Sequence, residues 1–154
     1  INNTDAEGRL ILADALSFAC EEKYDLLICM ATLTGAARVA LGEEISPFYC
    51  DNEEFSNILI DKSKKCFDPI WRLPFYKPYI KSIKSDIANL DNAPKGGMAG
   101  SIKAALFLKE FVNYDHKFIF FDIFSWSNSF SPGRAKGAVM QGVRSLYLLI
   151  KKLS

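Results

Sequence analysis

Apolar positions recur along this chain with two periods, and their alternation predicts the order of its elements. Between Asp5 and Cys20, the residues Leu10, Ala13, Leu16, Ala19 and Cys20 fall at helical spacing behind a Thr4-x-x-Glu7 capping pattern, so a helix is expected from near Ala6. Asp25 to Met30 is an apolar run of strand length, which Thr34-Gly35 breaks before Ala36 to Leu41 resume helical spacing. Pro47 to Cys50 reads as a short strand, and Phe55, Ile58, Leu59 and Cys66 share one face of an amphipathic helix. Trp71 to Pro74 is extended, because a residue before proline, here Leu73, is pushed away from the α region. Lys77 to Lys84 predicts a short helix and Asp86 to Leu90 a strand.

Asn92 to Gly100 is loop by composition and feeds a strongly helical segment, Ser101 to Val112, an arrangement suited to ligand binding. Phe118 to Phe124 reads as a fully buried strand, and Ala138 to Leu153 as a closing amphipathic helix with Val139, Val143, Leu146 and Ile150 aligned. Helices alternating with buried strands predict an α/β fold, a three-layer sandwich whose mostly parallel sheet carries helices on both faces. The loops at the carboxyl ends of such strands are where chemistry is expected.

Composition narrows the functional classes. A length of 154 residues suits one domain with one core, and 49% hydrophobic with 24% charged residues matches a soluble globular domain. Lys+Arg 19 against Asp+Glu 18 gives no electrostatic case for nucleic acid or an anionic membrane as partner. Neither a GxGxxG nor a P-loop lysine motif is present, which argues against a nucleotide-binding domain. The four cysteines form no CxxC pair and are expected to be reduced, packed thiols. His116 is the only histidine, so a metal would have to be held by carboxylates, which favours hard or borderline divalent ions. With neither a leader-like start nor an apolar run of roughly 18 residues, the cytoplasm is the expected compartment. The chain opens on Ile1 without Met, and is expected to be a fragment or a processed product.

The densest chemistry lies in Asn3-Thr-Asp-Ala-Glu-Gly-Arg-Leu10, where Asp5 and Glu7 stand two residues apart at a helix start, followed by Gly8 and Arg9. If the chain there is extended, side chains at i and i+2 point the same way and the two carboxylates could hold a pair of divalent cations. The helix N-terminus favours an anion, and Arg9 adds a forked cationic donor. A structural account is equally open: Thr4 and Glu7 as a capping box, Asp5 as a first-turn acid, Arg9 paired to Asp5 or Asp14.

This octapeptide resembles the signature of the leucine aminopeptidase (cytosol aminopeptidase) family. Leu12 to Leu16, Ala31 to Ala36 with Ala40 to Gly42, Trp71 to Pro74, and Ala99-Gly100 with Ala104 to Val112 resemble the family's further blocks in order, so the similarity covers nearly the whole chain. The resemblance implies a dinuclear metal-dependent aminopeptidase that removes N-terminal residues from peptides. Asp5 and Glu7 are then metal ligands, with Glu7 bridging, for two divalent ions of Mn or Zn. Arg9 is the catalytic arginine, holding a bicarbonate that acts as general base. Gly8, Arg9 and Leu33 seat that bicarbonate, and Asn3, Ala6, Thr32 and Gly35 line the substrate site. Peptides with a free N-terminus are the implied substrates and a hexamer the implied assembly.

Two departures qualify the expectation. The family's remaining lysine and aspartate ligands lie in a glycine-rich segment upstream, so residues 1–154 are expected to be the C-terminal part of the catalytic domain and inactive alone. Lys95-Gly-Gly97 resembles that segment only superficially and reads as loop. Phe120 to Trp126 stands where the family has Asp-Ile-Ala-Gly at a strand end, placing Phe124 at a small position of the pocket for the N-terminal side chain. Gly133 to Gly137 and Val143 to Leu146 resemble the family's last loop and helix. The alternative is a non-catalytic assembly or binding module built on the same fold.

Overall fold

The computed structural model describes residues 1–154 except Asn2, Lys95, Tyr114 and Ser154. Helix α1 (Gly8–Ala19) precedes strand β1 (Leu27–Ala31), the short α2 (Arg38–Leu41), β2 (Ser46–Cys50), α3 (Glu53–Lys65) and β3 (Ile70–Arg72). A 3-10 segment (Lys77–Ile83) and a long loop lead to α4 (Gly100–Lys109), β4 (Phe118–Asp122), a hairpin of β5 (Trp126–Ser127) and β6 (Gly137–Ala138), and α5 (Val143–Leu153).

Among the described residues the main sheet has four strands in the order β1-β4-β2-β3. The pairs β1·β4 and β2·β3 are parallel and β2·β4 is antiparallel, so the sheet is mixed, with parallel pairs in the majority. Alternation along β4 divides the core between the two faces. Phe118 and Phe120 pack with Ala13 and Leu16 of α1 and with Ala105 and Leu108 of α4, whereas Ile119 and Phe121 pack with Leu59 of α3 and Leu149 of α5. Each of these fully buried phenylalanines contributes roughly 2–3 kcal/mol of hydrophobic stabilisation. Helices on both faces of an α/β sheet are therefore present, as the alternation of periods predicts.

Local chemistry sets the ends. The Asn52 side chain accepts from Phe55 N at 2.9 Å to cap α3, with Glu53 and Glu54 in its first turn and three lysines in its last. Helix α5 is capped from a distance: the buried Asp68 carboxylate accepts from Gly142 N, Ser145 N and the Ser145 hydroxyl at 2.8–3.0 Å.

Four local expectations need correction. Asp86 to Leu90 is a series of bends, because the Ser85 hydroxyl accepts from Ile87 N and Ala88 N and diverts the backbone from strand pairing; Ile87 is 96% exposed. Ala138 belongs to the hairpin, and α5 begins only after Gly142, whose φ of 74° ends the preceding turn. The buried stripe of α5 runs through Ser145, Leu146 and Leu149, leaving Val143 and Ile150 partly in solvent. The capping box does not form: Thr4–Ala6 is a 3-10 turn in which the Asn3 side chain accepts from Asp5 N at 2.8 Å, and Glu7 makes no side-chain cap.

All four cysteines are free, with Cys29 and Cys50 buried and Cys20 and Cys66 half-buried. No helix among the described residues is long and apolar enough to cross a membrane.

Candidate functional site

The chemistry-bearing segments meet at the carboxyl ends of β1 and β4. The two strands run parallel with Ala31 opposite Asp122, and Ile123 N donates to Ala31 O at 2.9 Å, so the loops that follow leave side by side. At this point Asp122 is only 4% exposed, yet its carboxylate is fully engaged. It accepts from Leu33 N at 3.0 Å, Thr34 N at 2.8 Å, the Thr34 hydroxyl, and the Ser101 hydroxyl at 2.7 Å. With the Ser101 proton committed to Asp122, the Tyr49 hydroxyl, 2.6 Å away, donates to Ser101. Burial raises the Tyr49 pKa, which keeps that donor protonated. A relay of four side chains thus fixes the 32–35 loop to the sheet and to the start of α4.

The signature segment lies against this loop. A Cβ on Gly8 would sit 3.4 Å from Leu33 Cδ1, so α1 begins in contact with the loop. Asn92, 4% exposed, donates from its amide to Asn3 O at 3.0 Å and Ala6 O at 3.5 Å, tying the signature turn to the distant 92–100 segment. Asp5 and Glu7 are exposed, and no ion pair involves either among the described residues. The backbone through them is helical rather than extended, with Asp5 in the 3-10 turn and Glu7 at φ −73°, ψ −34°. Strand-like alternation therefore does not bring the two carboxylates to one side, contrary to the geometric reason expected from spacing.

Arg9 is the unusual group of the cluster. Its Nε is enclosed and has no hydrogen-bond partner. Burial pulls its pKa below the ordinary arginine value, and the nearby Asp122 charge opposes that pull. It pairs with neither Asp5 nor Asp14, so the structural account of Arg9 as an ion-pair partner fails. Around it, the Gly8 and Arg9 backbone N–H groups belong to the first turn of α1, where helical donors lack an internal acceptor. The Leu33 N–H is not free for an anion, because Asp122 takes it.

On the far side of the loop, the Arg38 guanidinium lies over the Phe124 ring at 4.4 Å from its centroid and passes Gly35 closely. The Gln141 side chain accepts from Phe124 N and Ser125 N at 3.0 and 2.8 Å and donates to Glu43 O at 2.7 Å, so the segment after β4 is held in place. Thr32 and Gly35 are exposed on the same loop.

The sites expected from the sequence therefore fall on two adjoining loops and one helix start. Asn92, Ser101, Tyr49 and Gln141 support them, and the linear sequence carries no pattern that singles these four out. Gly96 and Gly97 are exposed loop, and Lys95 lies outside the described residues. His116 bonds the Glu22 carbonyl oxygen at the opposite end of the sheet. Among the described residues no group of three or more His, Cys, Asp or Glu side chains could hold a metal, so Asp5 and Glu7 supply only part of such a site. Three cavities, one of about 390 Å³ beside the hairpin at Trp126 and Arg144, include neither these acids nor the 32–35 loop. The candidate site is an open ledge.

Residues 1–147 match the model of the cytosol aminopeptidase family, catalytic domain. The chain is 44% identical over 156 residues to the cytosol aminopeptidase of Encephalitozoon cuniculi, covering 100% of this chain and 32% of that protein. It is 46% identical over 149 residues to a probable cytosol aminopeptidase of a Synechococcus species, covering 95% and 30%. Among solved structures, the cytosol aminopeptidase of Coxiella burnetii superposes with a TM-score of 0.92 at 44% identity, over 97% of this chain and 33% of that one. The bottromycin maturation enzyme BotP in complex with Mn superposes with a TM-score of 0.87 at 28% identity, over 97% and 34%. The chain thus spans about a third of the length of the relatives it matches. With the signature turn, the anchored loop and the strand ends in the arrangement just described, the chain belongs to the cytosol aminopeptidase family as a portion of its catalytic domain.

Proposed function

We propose that residues 1–154 are the C-terminal part of the catalytic domain of a metal-dependent aminopeptidase, and that the whole protein removes N-terminal residues from peptides. The observation that carries this reading is the enclosed, unpartnered Nε of Arg9 at a helix N-terminus, one turn from two exposed acids that form no ion pair among the described residues. Such a place suits an anion next to cations better than it suits a structural ion pair.

Asp5 and Glu7 offer hard oxygen donors, which fits divalent ions of Mn or Zn as part of a larger ligand set completed by residues outside this chain. When bound, a pair of such ions supplies Lewis-acid polarisation of the scissile carbonyl and lowers the pKa of water. Glu7 and Asp5 would fix the position of that charge. Arg9, aided by the first-turn N–H groups at Gly8 and Arg9, would hold a bicarbonate or an equivalent carboxylate, which when bound would supply a general base for water. Leu33 contributes to this pocket as a wall against Gly8, since its N–H is committed to Asp122. Asn3, Ala6, Thr32 and Gly35 line the substrate side of the ledge. We place the protein in the cytoplasm and in a homo-oligomer, as a hexamer, on the strength of the family.

The test is made on the full-length protein with Mn. Glu7→Ala is expected to reduce the number of ions bound, measured by calorimetry, and to lower turnover of an aminoacyl amide by at least about a hundredfold. Unchanged metal stoichiometry and turnover would remove Glu7, and with it this reading of the signature turn.

A further inference from the structure

The 32–35 loop carries a cation that the proposed chemistry does not use. Arg38 stands one turn beyond Gly35, and a Cβ on residue 35 would lie 3.0 Å from its Nη2, 3.6 Å from Cζ and 3.8 Å from Nε. The guanidinium thus lies close to Gly35 and over the ring of Phe124, 4.4 Å from its centroid. The planar group therefore has two neighbours that take none of its N–H donors, a glycine and an aromatic ring. Among the described residues the Arg38 guanidinium takes part in no ion pair or hydrogen bond, while its backbone N–H donates to Gly35 O at 3.2 Å. Two carboxylates of this end of the sheet are engaged by other donors: Asp122 by four, and Glu43 by the Asn128 amide at 3.0 and 3.1 Å. Phe124 is held in turn by Gln141 through its backbone N–H.

We propose that Arg38, positioned by Phe124 and Gly35, makes the subsite for the N-terminal side chain select a carboxylate, so that the preferred peptides begin with glutamate or aspartate. This rests on the aminopeptidase reading above. In this reading the subsite is bordered by the ring of Phe124 and by the guanidinium that lies over it, which offers forked N–H donors. A leucine side chain would desolvate those donors without pairing them, whereas a carboxylate pairs them bidentately.

The experiment compares glutamyl, aspartyl, glutaminyl and leucyl amides on the Mn-loaded full-length protein, with calorimetric binding of free glutamate and free leucine alongside. The expected result is a kcat/KM for glutamyl over leucyl amide of at least about tenfold, falling by roughly 10 to 100-fold in Arg38→Ala, the range of one charge-assisted pair. Arg38→Glu should turn the preference toward lysyl amide, a reversal that simple loss of folding cannot produce. Cleavage of leucyl amide with a glutamyl-to-leucyl ratio that Arg38→Ala leaves unmoved would overturn the subsite and leave the aminopeptidase reading standing. If no amide is cleaved, the aminopeptidase reading falls, and glutamate binding decides the subsite: weakening by Arg38→Ala upholds it, and no binding overturns it.

Discussion

Two buried aspartates, one on each side of the sheet, do the same local job with different outcomes. Asp68 is 2% exposed and satisfies the start of α5 through Gly142 N and Ser145, with Arg144 at 3.9 Å on its solvent side. Asp122 is 4% exposed and satisfies Leu33, Thr34 and Ser101. Around Asp68 the donors balance, since Arg144 also gives Nη2 to Phe67 O at 2.7 Å. Around Asp122 they do not: the nearby Arg9 keeps an enclosed Nε donor without an acceptor. A buried carboxylate by itself marks packing. A buried carboxylate surrounded by cationic donors in surplus marks a place built to receive an anion.

The comparison breaks first at the two aspartates themselves. Asp122→Ala should cost the full-length protein about 3–4 kcal/mol, because it leaves two backbone and two hydroxyl donors unpaired in the interior. It should also lower turnover beyond any loss of folded protein, since the 32–35 loop is released from β4. Asp68→Ala should cost about 2–3 kcal/mol by urea denaturation and leave kcat/KM per folded molecule close to wild type. Equal losses of turnover in both variants would show that Asp122, too, is only a structural anchor.

The next effect sharpens the Asp68 side. Gly142 has φ 74°, and a Cβ there would meet Phe121 Cε1 at 2.7 Å, inside any normal contact distance, while its N–H must still reach Asp68. Gly142→Ala should therefore destabilise by about 2 kcal/mol through backbone strain and displacement of a core ring. A loss as small as that of an exposed-site substitution would mean that α5 can shift without cost, and that Asp68 holds a looser junction than its hydrogen bonds suggest.

Legibility followed the range of the signal. The helices and β4 stood out because periodicity is local and long: Phe118 to Asp122 could only be a buried strand. The octapeptide placed Asp5, Glu7 and Arg9 correctly at a helix start, but the backbone there is a 3-10 turn held by Asn92, 89 residues away from Asn3. No local pattern encodes such a tie, and the spacing of the two acids leaves both a helix cap and a convergent pair open. The same holds for Asp122, whose partners at Leu33 and Thr34 lie 89 and 88 residues upstream. Asp86 to Leu90 misled for the opposite reason, since a short apolar alternation is outweighed by one well-placed serine hydroxyl. The resemblance drew attention to Phe124, while the Arg38 guanidinium over its ring carried no signal, because a helix-start arginine is ordinarily a solvated surface residue.

The smallest effect concerns the thiols, which give each face of the sheet a buried probe without a chemical role. Cys29 of β1 packs on the α1/α4 face and Cys50 of β2 on the α3/α5 face. Burial raises both thiols, Cys29 to about 11. A raised folded pKa means that the neutral thiol is favoured by folding: the contribution is fully present below the unfolded value, near 8.5, and is lost as pH climbs toward 11. Stability should then decline modestly over that alkaline window, and Cys29→Ser, which cannot ionise there, should flatten that part of the profile while lowering stability at neutral pH. At pH 8 an alkylating reagent should modify the half-buried Cys20 and Cys66 well before Cys29 and Cys50. Mass spectrometry of the time course reads the order. If Cys29 reacted ahead of Cys50, the face that carries the ledge would be opening more readily than the other, and the surplus of donors around Asp122 would reflect a loosely closed core rather than a place shaped for an anion.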